Sequence, residues 1–156
     1  MGDYKDKQIV GEGDLVVSFT DVTQSRDVIG KPALIINSEK FNKLIISLDL
    51  GLIKPNKKTS LTNFYLYNLM QTKSFINNVS EYITGTTVLH LQKESILNFK
   101  FCHPPEELIH KFNYIGSKIF KKISLNYKTN NLLRKIKNIA SPNLISGKIK
   151  INKEKL

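Results

Sequence analysis

The sequence predicts an α+β protein, a small mixed-sheet domain followed by one long coiled-coil-type α-helix. Three observations predict it. Short β-rich runs bounded by Gly, Pro, Asn and Asp fill much of residues 1–103. After Pro104-Pro105 the apolar positions change to helical spacing: Leu108, Phe112, Ile115, Ile119, Ile123. The chain has 156 residues, 40% of them hydrophobic. A chain of that size buries roughly 70% of its unfolded surface, enough for a real core. The natural division is 1–103 for the sheet domain and 104–156 for the helix and tail.

The elements follow in order. Leu15-Val16-Val17-Ser18-Phe19-Thr20 is a strand behind the turn cluster Gly11-Glu12-Gly13-Asp14. A polar stretch runs from Asp21 to Asp27. Ala33–Ile36, Leu44–Leu48 and Leu50–Pro55 are three more strand candidates, the last stopped by proline and Asn56-Lys57-Lys58. Leu61, Phe64, Tyr65 and Leu69 then recur at helical spacing, with Ser60 or Thr62 as the cap, and predict a helix over 62–71. A second short helix is predicted over 73–81. Residues 82–87 read as a loop, 88–91 as a strand, 94–97 as one helical turn and 100–103 as a short strand. Glu106-Glu107 suit the positive end of a helix dipole, and the helix is predicted over 106–140. Its length, about 50 Å at 1.5 Å per residue, exceeds what the domain can cover. Its stripe therefore calls for a second helix. The polar break at Asn126, Asn130 and Asn131 either sets register or marks a kink. Pro142 is expected to end the helix, and Lys148–Ile151 to form a last strand.

Composition narrows the function classes. Lys plus Arg number 24 against 13 acidic residues, a net charge of +11. Residues 1–100 carry a net +2 and residues 101–156 a net +9. Such a bias suits a polyanion or an acidic surface, although 22 lysines against two arginines, with abundant Asn and Ile, also fit an AT-rich genome. One cysteine excludes an internal disulfide framework. No apolar run approaches the ~18 residues of a membrane span. The N-terminus lacks a signal peptide's apolar stretch, so a cytoplasmic location is expected.

Five segments carry a resemblance. GDLVVSFTDVTQSRDVIGKPALI (13–35), SLDLGLIKP (47–55) and TGTTVLHLQKESILNFKF (84–101) resemble, in that order, the target-recognition domain of specificity subunits of type I restriction–modification enzymes. PPEELIHKFNYIGSKIFKKI (104–123) and SPNLISGKI (141–149) resemble that family's helix and terminal signature. Two departures accompany it. Set against that family, the chain is expected to begin in mid-domain, without the family's first strands. Before Pro142, Lys137-Asn138 and Ala140-Ser141 replace a stronger apolar staple.

The resemblance implies a non-catalytic half-subunit or fragment with one recognition domain and no cofactor. Its partners would be double-stranded DNA, methyltransferase subunits and, through them, restriction subunits. It would pair with a second half-subunit or itself through Leu108, Phe112, Ile115, Ile119, Ile123, Leu133 and Ile136. Ser18, Thr20, Thr23, Gln24, Ser25, Arg26 and Lys31 are then candidate DNA contacts. Gln suits adenine, Arg suits guanine, and Ser and Thr suit bases or phosphates. A solvated loop is the competing reading. Asp21 carries the wrong charge for phosphate and is expected to orient its neighbours. Thr84, Gly85, Thr86 and Thr87 either approach a phosphate or form a tight turn. Lys31, Lys54, Lys57 and Lys58 are backbone-contact candidates, or ordinary surface lysines. The helix lysines read as a solvated face.

Other classes find little support. His90, His103 and His110 form no ligand pattern and read as structural, so no metal is expected. Cys102 beside His103 in a strand would face away from it. Asp14, Asp21, Asp27 and Asp49 lack nuclease spacing, and no phosphate-loop signature exists. The alternative function is an adaptor that dimerises through its helix without reading DNA.

Overall fold

The architecture is α+β in a computed structural model that describes residues 5–23, 25–36, 38 and 40–150. A 3-10 turn, Asp6–Gln8, leads into β1 (Ile9–Val10). Then come β2 (Leu15–Ser18), β3 (Thr20–Asp21), β4 (Pro32–Leu34), β5 (Leu44–Ile45) and β6 (Leu50–Ile53). Next are α1 (Asn63–Leu69), α2 (Lys73–Ser80), β7 (Ile83–Thr84), β8 (Leu89–Leu91), the turn α3 (Glu94–Leu97) and α4 (Glu106–Ile145). The strands form three small sheets, ordered β1-β5, β4-β2-β6 and β3-β8-β7, each with antiparallel pairs. A parallel bridge, Ser18 to Ile29, is added at the end of β2.

Packing explains why β2 is central. Leu15 and Val17 face a cluster with Ile29, Phe75, Val79, Leu89 and Leu91, while Val16 points the other way to Val10 and Ile46. A strand buried on both faces needs a continuous apolar run, which Leu15-Val16-Val17 supplies. The two short helices start where hydroxyl caps allow. Thr62 accepts from the Tyr65 amide and Thr72 from the Phe75 amide.

By packing, the chain divides into two compact units, Met1–Phe120 and Lys121–Leu156. In the first, α4 docks through Ile109, which is fully buried, and through Phe112, whose ring meets Phe64 and Tyr65 at 5.8 and 5.4 Å. The Thr62 hydroxyl donates to Asn113 Oδ1 at 2.7 Å, and Asn113 Nδ2 donates to the Ser60 carbonyl at 2.8 Å. Gly116 completes the contact, because a Cβ there would overlap the Phe64 ring. Alanine favours a helix over glycine by about 1 kcal/mol, but forcing volume into a packed contact costs about 1–3 kcal/mol. Gly116→Val, with its larger side chain and β-branching, should therefore lower stability by about 1–3 kcal/mol in a thermal melt. An unchanged midpoint would mean that Phe64 moves aside freely.

Several expected boundaries are corrected. Residues 100–103 form no strand; Phe99 and Phe101 stack at 6.3 Å and Tyr65 lies 6.5 Å from Phe101, so ring packing rather than a ladder holds them. Cys102 and His103 are consequently both exposed, and the strand alternation expected to separate them does not apply. The strand expected over 44–48 stops at Ile45; the Ile46 amide then donates to the Gln8 carbonyl, and Gln8 Nε2 to the Ile46 carbonyl. Residues 83–84 leave the expected loop to pair with β8. The long helix continues through Pro142 to Ile145. A proline removes one helical hydrogen bond near the end, and Asn143 Nδ2 donates to the Ile139 carbonyl in that turn. Lys148–Lys150 are bends or irregular, not strand, and Ile151 lies outside the described residues.

Candidate nucleic-acid interface

Between Ser18 and Lys31, the described residues close around one carboxylate. Asp21, only 3% exposed, accepts four hydrogen bonds. Its Oδ1 takes the Thr23 amide and hydroxyl, both at 2.7 Å. Its Oδ2 takes the Val28 amide at 2.7 Å and the Ile29 amide at 3.1 Å. The Thr23 hydroxyl, then the Val28 amide, hold the carboxyl far below the ordinary carboxylate range; burial opposes this, and the Thr23 and Ile29 amides add to it. The carboxylate thus ties both arms of the loop together.

The candidates divide into scaffold and surface. Ser18 donates its hydroxyl to the Thr20 carbonyl, and its own carbonyl receives the Gly30 amide. Thr23 donates to Asp21 and accepts from the Asp27 amide. Ser25 donates to Asp27 Oδ2 at 2.6 Å and is exposed, as are Arg26 and Lys31. Gln24 lies outside the described residues. Arg26 has φ 56°, a left-handed conformation that side chains rarely take.

Register brings the second segment alongside. β3 and β7 both pair with β8, so that Thr20 opposes His90 and Thr84 opposes His90 from the other side. Leu89 and Leu91 are buried and His90 is exposed, so alternation turns the row Thr20–His90–Thr84 away from the core. The turn from β7 to β8 needs Gly85, whose φ is 105° and whose Cβ would meet the Val88 carbonyl. Thr86 and Thr87 are exposed in that turn. Lys54, Lys57 and Lys58 follow β6, a strand of the other three-stranded sheet. The reading from sequence gave His90 a structural role. The alternation Leu89-His90-Leu91 is legible in the sequence, but the neighbours on either side of His90 come only from long-range pairing.

The second candidate surface lies along α4. Leu108, Ile115, Ile119, Ile123, Leu133 and Ile136 are each about half exposed, and Phe112 is 38% exposed despite its contacts with α1. Groups of exposed apolar side chains on one helix mark interaction surfaces. The helix is unbroken through Asn126–Asn131. A seven-residue register runs from Leu108, Phe112, Ile115 and Ile119 through Lys122, Asn126 and Thr129 to Leu133 and Ile136, and Ile123, the remaining pairing candidate, stands one position off it. Among the described residues, no three His, Cys, Asp or Glu side chains gather as a metal site, and no helix is long and apolar enough to cross a membrane.

No family model matches the chain. It is 26% identical over 89 residues to the specificity subunit of type I restriction enzyme MjaIX from Methanocaldococcus jannaschii. The match covers 57% of this chain and 20% of that protein. The chain thus spans about a fifth of the length of the curated relative it matches. The likeness, distant and partial, is to a type I restriction specificity subunit.

Proposed function

We propose that the chain is a non-catalytic DNA-recognition component of a type I restriction–modification system, a partial specificity subunit whose sheet domain reads half of a split site. The observation that carries this reading is the convergence of Thr20 and Thr84. They come from segments far apart in sequence, each carrying hydroxyl side chains suited to bases or phosphates. They flank one strand on a face turned away from the core. The likeness to a specificity subunit supports the same reading. Base contact would come from Gln24, Arg26 and the β3-β8-β7 row, with Ser25, Lys31, Thr86 and Thr87 toward phosphates. Ser18, Thr23 and Gly85 hold the loops in place. The helix would dock methyltransferase subunits or a second half-subunit, and restriction subunits would join through them.

Arg26 offers a clean test. Glycine fits φ 56° better than arginine does. Arg26→Gly should therefore keep or raise the unfolding midpoint while discrimination falls by about 1–3 kcal/mol at a single base position. A uniform loss across all DNA sequences would reject base reading by Arg26.

A second reading is favoured by the exposed face of α4. In it the chain is an adaptor that pairs through the helix without reading DNA. It predicts association with no sequence preference in a duplex selection.

A further inference from the structure

We infer that His90 is a specificity-determining residue of the interface and that its imidazole donates to an acceptor on a base edge in the major groove. This rests on the DNA-recognition reading above. Three observations carry it. His90 is the middle member of the row Thr20–His90–Thr84 and stands on the central strand of its sheet. It is exposed between two buried leucines, so its side chain leaves the face that Leu89 and Leu91 pack against the core. Its neighbours are short threonines, so the imidazole is the longest side chain of the row.

Dimensions agree with this role. Strands lie roughly 4.8 Å apart, so the axes of the two outer strands are about 10 Å apart. The major groove of B-DNA is about 12 Å wide and admits a two-stranded ribbon. Three strands therefore lie across its mouth, with the side chain of the central strand reaching toward the base edges and the outer strands nearest the phosphate walls. An imidazole carries a ring N–H in either tautomer, which suits the O6 or N7 of guanine or the O4 of thymine. The electrostatics are permissive. The one acidic residue in these three strands, Asp21, is turned inward onto four hydrogen bonds. Lys93, just beyond β8, holds its ammonium 5.9 Å from the Phe19 ring centroid, with the exposed Glu94 beside it in sequence.

The test uses the full chain, a labelled duplex enriched from a randomised pool, and a scrambled duplex of the same composition. His90→Ala should raise Kd for the enriched duplex about tenfold, with Kd for the scrambled duplex and the unfolding midpoint unchanged. His90→Gln, which keeps a donor, should restore part of the loss. If the wild type discriminates and His90→Ala discriminates equally well, or loses affinity equally for both duplexes, the inference is overturned while the DNA reading stands. If the wild type itself fails to discriminate, the DNA reading fails and the role of His90 falls with it.

Discussion

Asp21→Ala should abolish sequence preference and lower the unfolding midpoint by several degrees. The carboxylate closes the loop by bonding Thr23 at one arm and Val28 and Ile29 at the other. Removing it leaves the buried Ile29 amide without its acceptor, and an unmade buried hydrogen bond costs more than a typical one contributes. Arg26 and Ser25 lie within the closed segment, so both lose their fixed positions. Asp21→Asn should be nearly as harmful, because its amide group would present a donor to backbone donors. Acid unfolding gives an independent check. The folded chain holds this carboxyl below its ordinary value of 3.8. Its stabilising contribution is therefore complete above that value and is withdrawn as pH falls below it. Asp21→Asn should lack that part of the acid slope. A variant that keeps both the slope and the sequence preference would show that the loop is held by something else.

Paired substitution on the helix should have the second large effect. Ile119→Lys with Leu133→Lys places a charge in each apolar half of the seven-residue register. Burying an isoleucine or leucine contributes roughly 1.5–3 kcal/mol, so losing two should weaken helix pairing by more than about a hundredfold. Tyr114→Lys, off the register on an exposed position, is the control and should change little. Sedimentation equilibrium of the full chain reads both. Asn126 sits at the middle of the same register. A polar residue there fixes alignment at some cost in stability. Asn126→Leu should therefore tighten association and broaden the distribution of oligomers. Equal dissociation constants for the wild type and the double lysine variant would remove the pairing role.

Local signals made much of the fold legible. The cap Thr62, the run Leu15–Val17 and the spacing from Leu108 to Ile123 each carry their element without outside help. What stayed hidden depends on distant partners. Phe99 and Phe101 have the composition of a strand, yet their rings find each other and Tyr65 instead. The strand expected over 44–48 is short because its partner β1 begins only at Ile9, behind the 3-10 turn Asp6–Gln8, which composition does not reveal. The inward face of α4, with Ile109 and Gly116, was masked by the stronger outward stripe. In the candidate site, Asp21 was legible as an orienting residue because a carboxylate does not suit phosphate. Thr23, a contact candidate, uses its hydroxyl inside the loop, through partners that spacing alone does not reveal. The meaning of His90 depends on a register between residues 20 and 90 that no local pattern encodes.

The central claim is sequence-specific reading of duplex DNA. Selection from a randomised duplex pool by the purified chain, at two salt concentrations and with or without a methyltransferase subunit, tests it most directly. One short motif should be enriched, survive the higher salt and be lost in Asp21→Ala. Binding that fades with salt and enriches no motif would be phosphate attraction alone, and would contradict it.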